Sequence, residues 1–393
     1  MSRLLISRSE DLTKLQDEGY ELDIVANHLV ISHVPYLTVD GVVKHGTLMC
    51  PLVLENDKTA QPTDHTMMFD GEKPYGQDGV ELKIVAGTGH QQITHDLSHE
   101  FVFSRKPMWE GNRYRDFHHK VTTYVDFVSK HALAVDPQAT ARTYRHLPVS
   151  EEDGSIFIYR DTASARAGIQ PLADKLEQAG PVAIVGLGGT GSYILDLVAK
   201  SPVKEIHLYD GDRFSQHNAF RAPGAPAGGT LDGAPLKVEY LGGIYGRMHG
   251  GIKQHPCFLS EENTEELRSM KFVFVSVDDA DARKLITERL AEYGVPFVDV
   301  GMGLYEQDGV LGGIVRVTTS TESNRERAAK HMPLSGGNAE NEYRSNIQIA
   351  DLNALNAALA VIKWKKMFNF YQDTDSENHS DYVVGGNTMI NGD

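Results

Sequence analysis

Residues 184–191 read IVGLGGTG, and this stretch decides the fold. Gly186, Gly188 and Gly191 stand in the GxGxxG register with Gly189 among them, after an apolar run (PVAIVG, 181–186) and before a helix-forming segment. Glycine permits a tight turn and lets backbone amides approach a phosphate without a Cβ in the way. The helix N-terminus behind it offers unpaired N–H groups and partial positive charge to an anion. Nineteen residues after Gly191, Asp210 ends the next apolar run, placed to accept hydrogen bonds from ribose hydroxyls. The same arrangement serves NAD, FAD, S-adenosylmethionine and ATP, so the loop alone does not name the nucleotide.

Outward from the loop, short apolar runs alternate with helical segments. Strands are expected at 181–186, 205–210, 271–277, 296–301 and 312–318, and helices at 191–200, 237–249, 262–269 and 280–293. This rhythm predicts an α/β fold: a Rossmann-like parallel sheet with helices on both faces, spanning residues 181–371. Residues 319–345 are polar, carry a Gly-Gly pair and read as a flexible crossover loop. A further helix is expected over 346–370, where Ile347, Ile349, Leu352, Leu355, Leu359 and Ile362 suggest core or dimer contacts. An acidic tail, 372–393, follows.

The first 150 residues differ in character, holding eleven of the 17 histidines. Branched apolar runs over 21–54, turn residues over 61–80 and a helical pattern over 116–135 predict an α+β domain of unknown role. Pro148 and SEEDGS mark its end, and 151–180 reads as a linker and entry helix. His90, His95 and His99 could suit zinc only on a helix; Gly87 and Gly89 argue for a loop, so polar surface and core histidines are the plainer reading. Tyr114 to Phe127 is aromatic-rich at helical spacing, which favours core packing.

Composition narrows the function classes. A net charge of −16 argues against nucleic acid or anionic lipid as partner, because phosphate backbones call for clustered Lys and Arg. No run approaches the roughly 18 apolar residues of a membrane span, and the N-terminus lacks a signal-peptide core, so a cytoplasmic protein is expected. Two cysteines, Cys50 and Cys257, fit a reducing compartment and cannot build a four-cysteine zinc site.

Downstream segments separate the nucleotides. LYDGDRFSQHNAFR (208–221) resembles the ThiF/MoeB/ubiquitin-activating family, in which a strand-end D-x-D is followed by Asn and then Arg: here Asp210, Asp212, Asn218 and Arg221. APLKVEY (234–240) resembles the family's G-x-P-K-V and carries Lys237. VSVDDADAR (275–283) resembles T-D-N-x-x-x-R and carries Asp278 and Arg283. The likeness covers about 160–320. It implies a ThiF-type adenylyltransferase using ATP and Mg2+, with Gly186, Gly188, Gly189, Gly191, Asp210, Asp212 and Asn218 on the nucleotide. Arg221 and Lys237 would meet the phosphates and Asp278 the magnesium ion. Arg166 sits where the family often places an arginine reaching into a partner subunit's site, with Arg160 nearby able to serve instead, and the family is commonly dimeric.

The chemistry agrees with the resemblance. A carboxylate attacking the α-phosphorus of ATP brings anion to anion, so the catalyst needs pre-positioned cations more than covalent groups. A nicotinamide dehydrogenase needs neither these cations nor a magnesium carboxylate. Blander roles stay open: Asp210 or Asp278 and Asp279 as helix caps, Arg221 and Lys237 as solvated charges, Asp212 and Asn218 as loop stabilisers. The family's thioester cysteine has no counterpart in 319–345, and Cys257 and Cys50 read as buried apolar residues, Cys257 on a strand. Zinc-binding C-x-x-C pairs are missing, and Ala222 stands where the family has Gln. The implied reaction is acyl-AMP formation at the C-terminal carboxylate of a ubiquitin-like protein or peptide, without an internal thioester. The competing readings are an NAD-dependent Rossmann oxidoreductase and a non-catalytic nucleotide-binding scaffold.

Overall fold

The chain divides into two units, Met1–Leu147 and Pro148–Asp393, each built on a sheet. The computed structural model describes residues 5–6, 8–95, 97–107, 110–145, 154–333 and 347–392. The boundary expected at 150 and residues 334–345 of the crossover loop lie outside them.

In the first unit, helix α1 (Glu10–Asp17) precedes strands β1 (Leu22–Val25), β2 (His28–Leu37), β3 (Val43–Pro51), β6 (Thr66–Asp70), β7 (Val85–Thr94) and β8 (Leu97–Ser104), and α2 (Phe117–Val135) follows. The six strands pair antiparallel in the order β1-β2-β3-β6-β8-β7, while β4 (Leu54–Glu55) and β5 (Lys58–Thr59) form a separate ribbon. One sheet face packs against the apolar stripes of both helices, with Leu12 and Leu15 from α1 and Phe117, Val121, Tyr124 and Val128 from α2. Asp11 fastens these parts: its carboxylate accepts Thr59 Oγ1–H and the N–H of Phe117, which opens α2.

Two expectations need correction here. Residues 61–80 hold strand β6 as well as turns, because TMMFD buries Met67 and Phe69 at period two. The 87–99 segment is a hairpin rather than a loop. Its histidines point apart: His90 pairs with Glu100, while His99 is buried. Among the described residues no group of three His, Cys, Asp or Glu side chains gathers as a metal site.

The second unit is built on β9 (Val182–Val185), β10 (Ile206–Tyr209), β11 (Ile252–His255), β12 (Phe272–Val275), β13 (Phe297–Gln307), β14 (Val310–Ser320), β15 (His379–Val383) and β16 (Thr388–Gly392). Their order is β11-β10-β9-β12-β13-β14-β15-β16. Neighbours from β11 to β13 are parallel; those from β13 to β16 are antiparallel. Val182 and Ile184 join one core with Phe272 and Phe274, whereas Ala183 and Val185 join the opposite core with Val273 and Val275. Both faces are therefore covered, as a parallel sheet requires. One face carries α5 (Gly189–Val198), α8 (Lys237–Tyr245) and α11 (Ala350–Met367); the other carries α9 (Ala280–Tyr293).

The entry segment 161–179 is broken rather than continuous, into α3 (Thr162–Arg166), α4 (Gln170–Ala173) and a 3-10 turn (Asp174–Ala179). Gly168 at φ 66° ends the first piece, and Pro171, which lacks an N–H, stands in the first turn of the second. The 262–269 segment is likewise a 3-10 helix, Thr264–Ser269. Short helices α6 (Gln216–Ala219), α7 (Gly228–Asp232) and α10 (Arg325–Ala329) fill loops, the last inside the expected crossover loop. The acidic tail ends in the β15–β16 hairpin, which extends the sheet. On α11 the buried face is Asn353, Asn356, Ala357, Ala360, Val361 and Trp364, whereas Ile362 is exposed and Leu352 and Leu355 are only half-buried. No helix among the described residues is long and apolar enough to cross a membrane.

Candidate nucleotide site

Sequence order reverses at β9, which lies between β10 and β12, and the following helices α5 and α9 leave to opposite faces. In such sheets the crevice opens beyond the carboxyl ends of the strands at this point. A cleft of about 1000 Å³ lies there, lined by the glycine loop, Asp210, Arg221, Lys237 and Asp278 among others.

The glycines have separate tasks. Gly186 turns at φ 86°, and a Cβ on it would lie 2.3 Å from the Ser276 carbonyl oxygen. A Cβ on Gly191 would lie 1.9 Å from the Gly186 oxygen, and one on Gly189 would lie 2.0 Å from Asn353 Nδ2. Gly188 alone among the four faces open space. Its backbone is left open to the cleft, while the other three hold the loop's shape. Gly191→Ala is expected to cost about 1–3 kcal/mol or more by overpacking. Gly188→Ala should stay within about 1 kcal/mol of the parent while weakening nucleotide binding; paired melting curves and ATP titrations check both.

At the end of β10, Asp210 is buried and fully engaged. Its Oδ2 accepts Leu187 N–H at 2.7 Å and Lys237 Nζ–H at 3.3 Å, and its Oδ1 accepts Asp212 N–H at 2.8 Å. Lys237, the first residue of α8, also donates to Asp212 at 2.7 Å. Asp210 is thus a loop and lysine anchor, and not a helix cap. Asn218 is buried at 3% exposure and accepts Ser215 N–H at 3.0 Å, so it stabilises its own loop; its Nδ2 is buried without a hydrogen-bond partner. Arg221 donates to Gln348 at 3.0 Å, just ahead of α11. His217 also lines the cleft, and burial together with Arg221 and Lys237 pushes its pKa down.

Beyond β12, Asp278 stands exposed in the cleft, while Asp279 caps α9 through Ala282 N–H. The two adjacent aspartates therefore have different roles. Arg166 closes α3, and its side chain lies outside the described residues. Cys257 is not on a strand: β11 ends at His255, before Pro256, and the half-buried thiol is held protonated by burial and by Glu266. Burial pushes the Cys50 thiol up to about 11. Neither is a ready nucleophile.

Sequence reading missed one part of the cleft. Asp299 on β13 is wholly buried and accepts Arg283 Nε–H at 3.0 Å and Arg316 Nη2–H at 2.6 Å. Arg316, on β14, also donates to Thr318 at 3.1 Å. Thr318 pairs with His379 at 3.0 Å, and His379 with Asp381 at 3.1 Å. The signal was available as polar residues facing one side of the strands: Asp299 on β13, and at period two Arg316 with Thr318 and His379 with Asp381.

A twisted α/β sheet with a glycine-loop crevice at its switch point, lined by cations that include Arg221 and Lys237 and by an exposed aspartate, defines a nucleotide-binding domain. The chain belongs to the ThiF family, whose sequence profile matches residues 160–361, just over half of its length. Residues 10–162 match a domain of unknown function, DUF6791. No curated protein matches the chain by sequence. Among solved structures, E. coli MccB with MccA-N7isoASN is 17% identical at TM-score 0.44, over 56% of this chain and 66% of that one, just under two thirds of its length. The microcin C7 biosynthetic enzyme MccB in complex with N-formylated MccA is 18% identical at TM-score 0.45, over 59% and 70%. PaaA is 15% identical at TM-score 0.43, over 57% and 75%.

Proposed function

We propose that the chain is an ATP-dependent adenylyltransferase that activates the C-terminal carboxylate of a ubiquitin-like protein or peptide as acyl-AMP, without an internal thioester. The observation that carries this reading is Lys237, held by both Asp210 and Asp212 beside the glycine loop. In a nicotinamide site the strand-end acid serves the ribose; here it also holds a cation at the phosphate side of the cleft. Membership of the ThiF family supports the same reading.

In the reaction, a carboxylate oxygen of the acyl substrate bonds to the α-phosphorus. The bond from that phosphorus to the bridging oxygen breaks, and pyrophosphate leaves with the electron pair. Lys237 and Arg221 meet the charge that gathers on the phosphoryl and leaving oxygens, Lys as a point charge and Arg as a planar fork. Asp278 suits Mg2+, which takes one or two carboxylates and completes its shell with phosphate oxygens and water rather than an all-protein cage. When bound there the ion would neutralise charge on the phosphates. Pairing of two copies, with Arg166 crossing into the partner's cleft, belongs to the same proposal. So does the absence of a thioester, supported by the two protonated thiols.

The test is ATP–pyrophosphate exchange with candidate ubiquitin-like proteins and peptides, comparing the parent with Asp278→Ala and Arg221→Ala. Substrate-dependent exchange lost in both variants is expected. Undiminished exchange in both would overturn the site assignment, and nicotinamide-dependent turnover would overturn the reaction class.

A further inference from the structure

The antiparallel half of the sheet gives the cleft a polar wall. Residues 299, 301 and 303 of β13 share one face. In register opposite them lie Thr318, Arg316 and Ile314 of β14, and beyond these His379, Asp381 and Val383 of β15. The middle row, Gly301–Arg316–Asp381, lines the cleft in full. A Cβ on Gly301 would lie 2.6 Å from Arg316 Nη2, so the guanidinium lies across a position that only glycine leaves free.

The buried cluster beneath this row has two arginines on one carboxylate, Asp299, and so carries an excess positive charge. Arg316 is the more open of the two, at 15% side-chain exposure against 9% for Arg283. Asp381, at 26%, gives one oxygen to His379. A cation and a carboxylate thus stand side by side on neighbouring strands, both facing the cleft, with no ion pair between them among the described contacts.

Distance decides what this pair meets. Arg316 belongs to β14, but its guanidinium lies across Asp299 and Gly301 of β13, two strands from β9, or about 10 Å at the usual spacing of neighbouring strands. That sets the guanidinium beside the phosphates at the glycine loop, where Lys237 and Arg221 already stand, rather than on them, and so on the acyl side, from which a carboxylate it draws in faces the α-phosphorus. Accepting the adenylation reading above, we infer that Arg316 and Asp381 form the seat of the acyl substrate's last residue. Arg316 attracts the free carboxylate, and Asp381 accepts the N–H of that residue's own amide. The seat selects for a C-terminal carboxylate on a residue with an N–H, and so against a C-terminal amide, proline or N-methyl residue.

The experiment uses the full chain in ATP–pyrophosphate exchange with one heptapeptide made three ways, ending in glycine, N-methylglycine or glycinamide. The parent should prefer glycine over N-methylglycine by about 10–100-fold in kcat/KM, the scale of one lost hydrogen bond to a charged group, and should not use the amide. Arg316→Gln should raise the peptide KM about 100-fold with the ATP KM unchanged, and Arg316→Lys should recover part of it. Asp381→Ala, which leaves the buried cluster intact, should bring the N-methyl preference to within threefold. A peptide KM within twofold of the parent in Arg316→Gln, or an undiminished N-methyl preference in Asp381→Ala, overturns the seat while leaving adenylation standing. No exchange by the parent with the glycine peptide overturns both.

Discussion

Lys237→Ala is expected to lower substrate-dependent ATP–pyrophosphate exchange by about 100–1000-fold, the usual effect of removing one pre-positioned group that stabilises transition-state charge. The lysine is poised where it is because α8 begins with it, and its backbone N–H donates to the Asp212 carbonyl at 2.9 Å. Backbone and side chain are thus both fixed to the loop after β10. Removing the side chain has a second effect, since it leaves buried Asp210 with only the Leu187 and Asp212 amides. The two contributions separate experimentally. Lys237→Arg keeps the charge and the pairing, so it should fold like the parent, yet its longer fork should leave exchange at least tenfold down. Parent-like exchange in Lys237→Ala would remove the lysine from the reaction.

Asp299→Ala is expected to cost about 3–5 kcal/mol of stability, because it strands two buried guanidinium groups without their shared carboxylate. For a unit of this size that corresponds to a melting temperature lower by roughly 6–20 °C. Asp278→Ala serves as the control: Asp278 is exposed, so its loss should leave melting unchanged while abolishing exchange. A Asp299→Ala protein that melts with the parent would show that the Arg283–Asp299–Arg316 cluster contributes little to the fold.

The parallel half of the sheet was legible because its strands are continuous apolar runs bounded by glycine, aspartate and proline. Val182–Val185 and Phe272–Val275 are buried on both faces, which leaves no ambiguity of pattern. The family motifs of the cleft were legible for a related reason: Asp210, Arg221, Lys237 and Asp278 each lie at or close to an element boundary. The antiparallel wall was not. Its strands carry one polar face, and Asp299, Arg316 and Asp381 belong to segments up to 82 residues apart, Asp381 within a stretch that looks like a charged tail. Helix α11 misled differently. Its bulky apolar residues marked one face, yet the buried face carries Asn353 and Asn356, because the glycine loop and β13 demand hydrogen bonds there.

That last contact has a kinetic side. Thr190 Oγ1–H reaches Asn353 Oδ1 at 3.0 Å across 163 residues, and Asn353 fills the space that Gly189 leaves free. A glycine loop shaped by so distant a helix cannot reach its final form until the intervening chain has collapsed, since long loop closures come late. Helix content should therefore recover ahead of nucleotide affinity when the denatured protein is diluted into buffer. The interval between the two signals would measure the docking of α11.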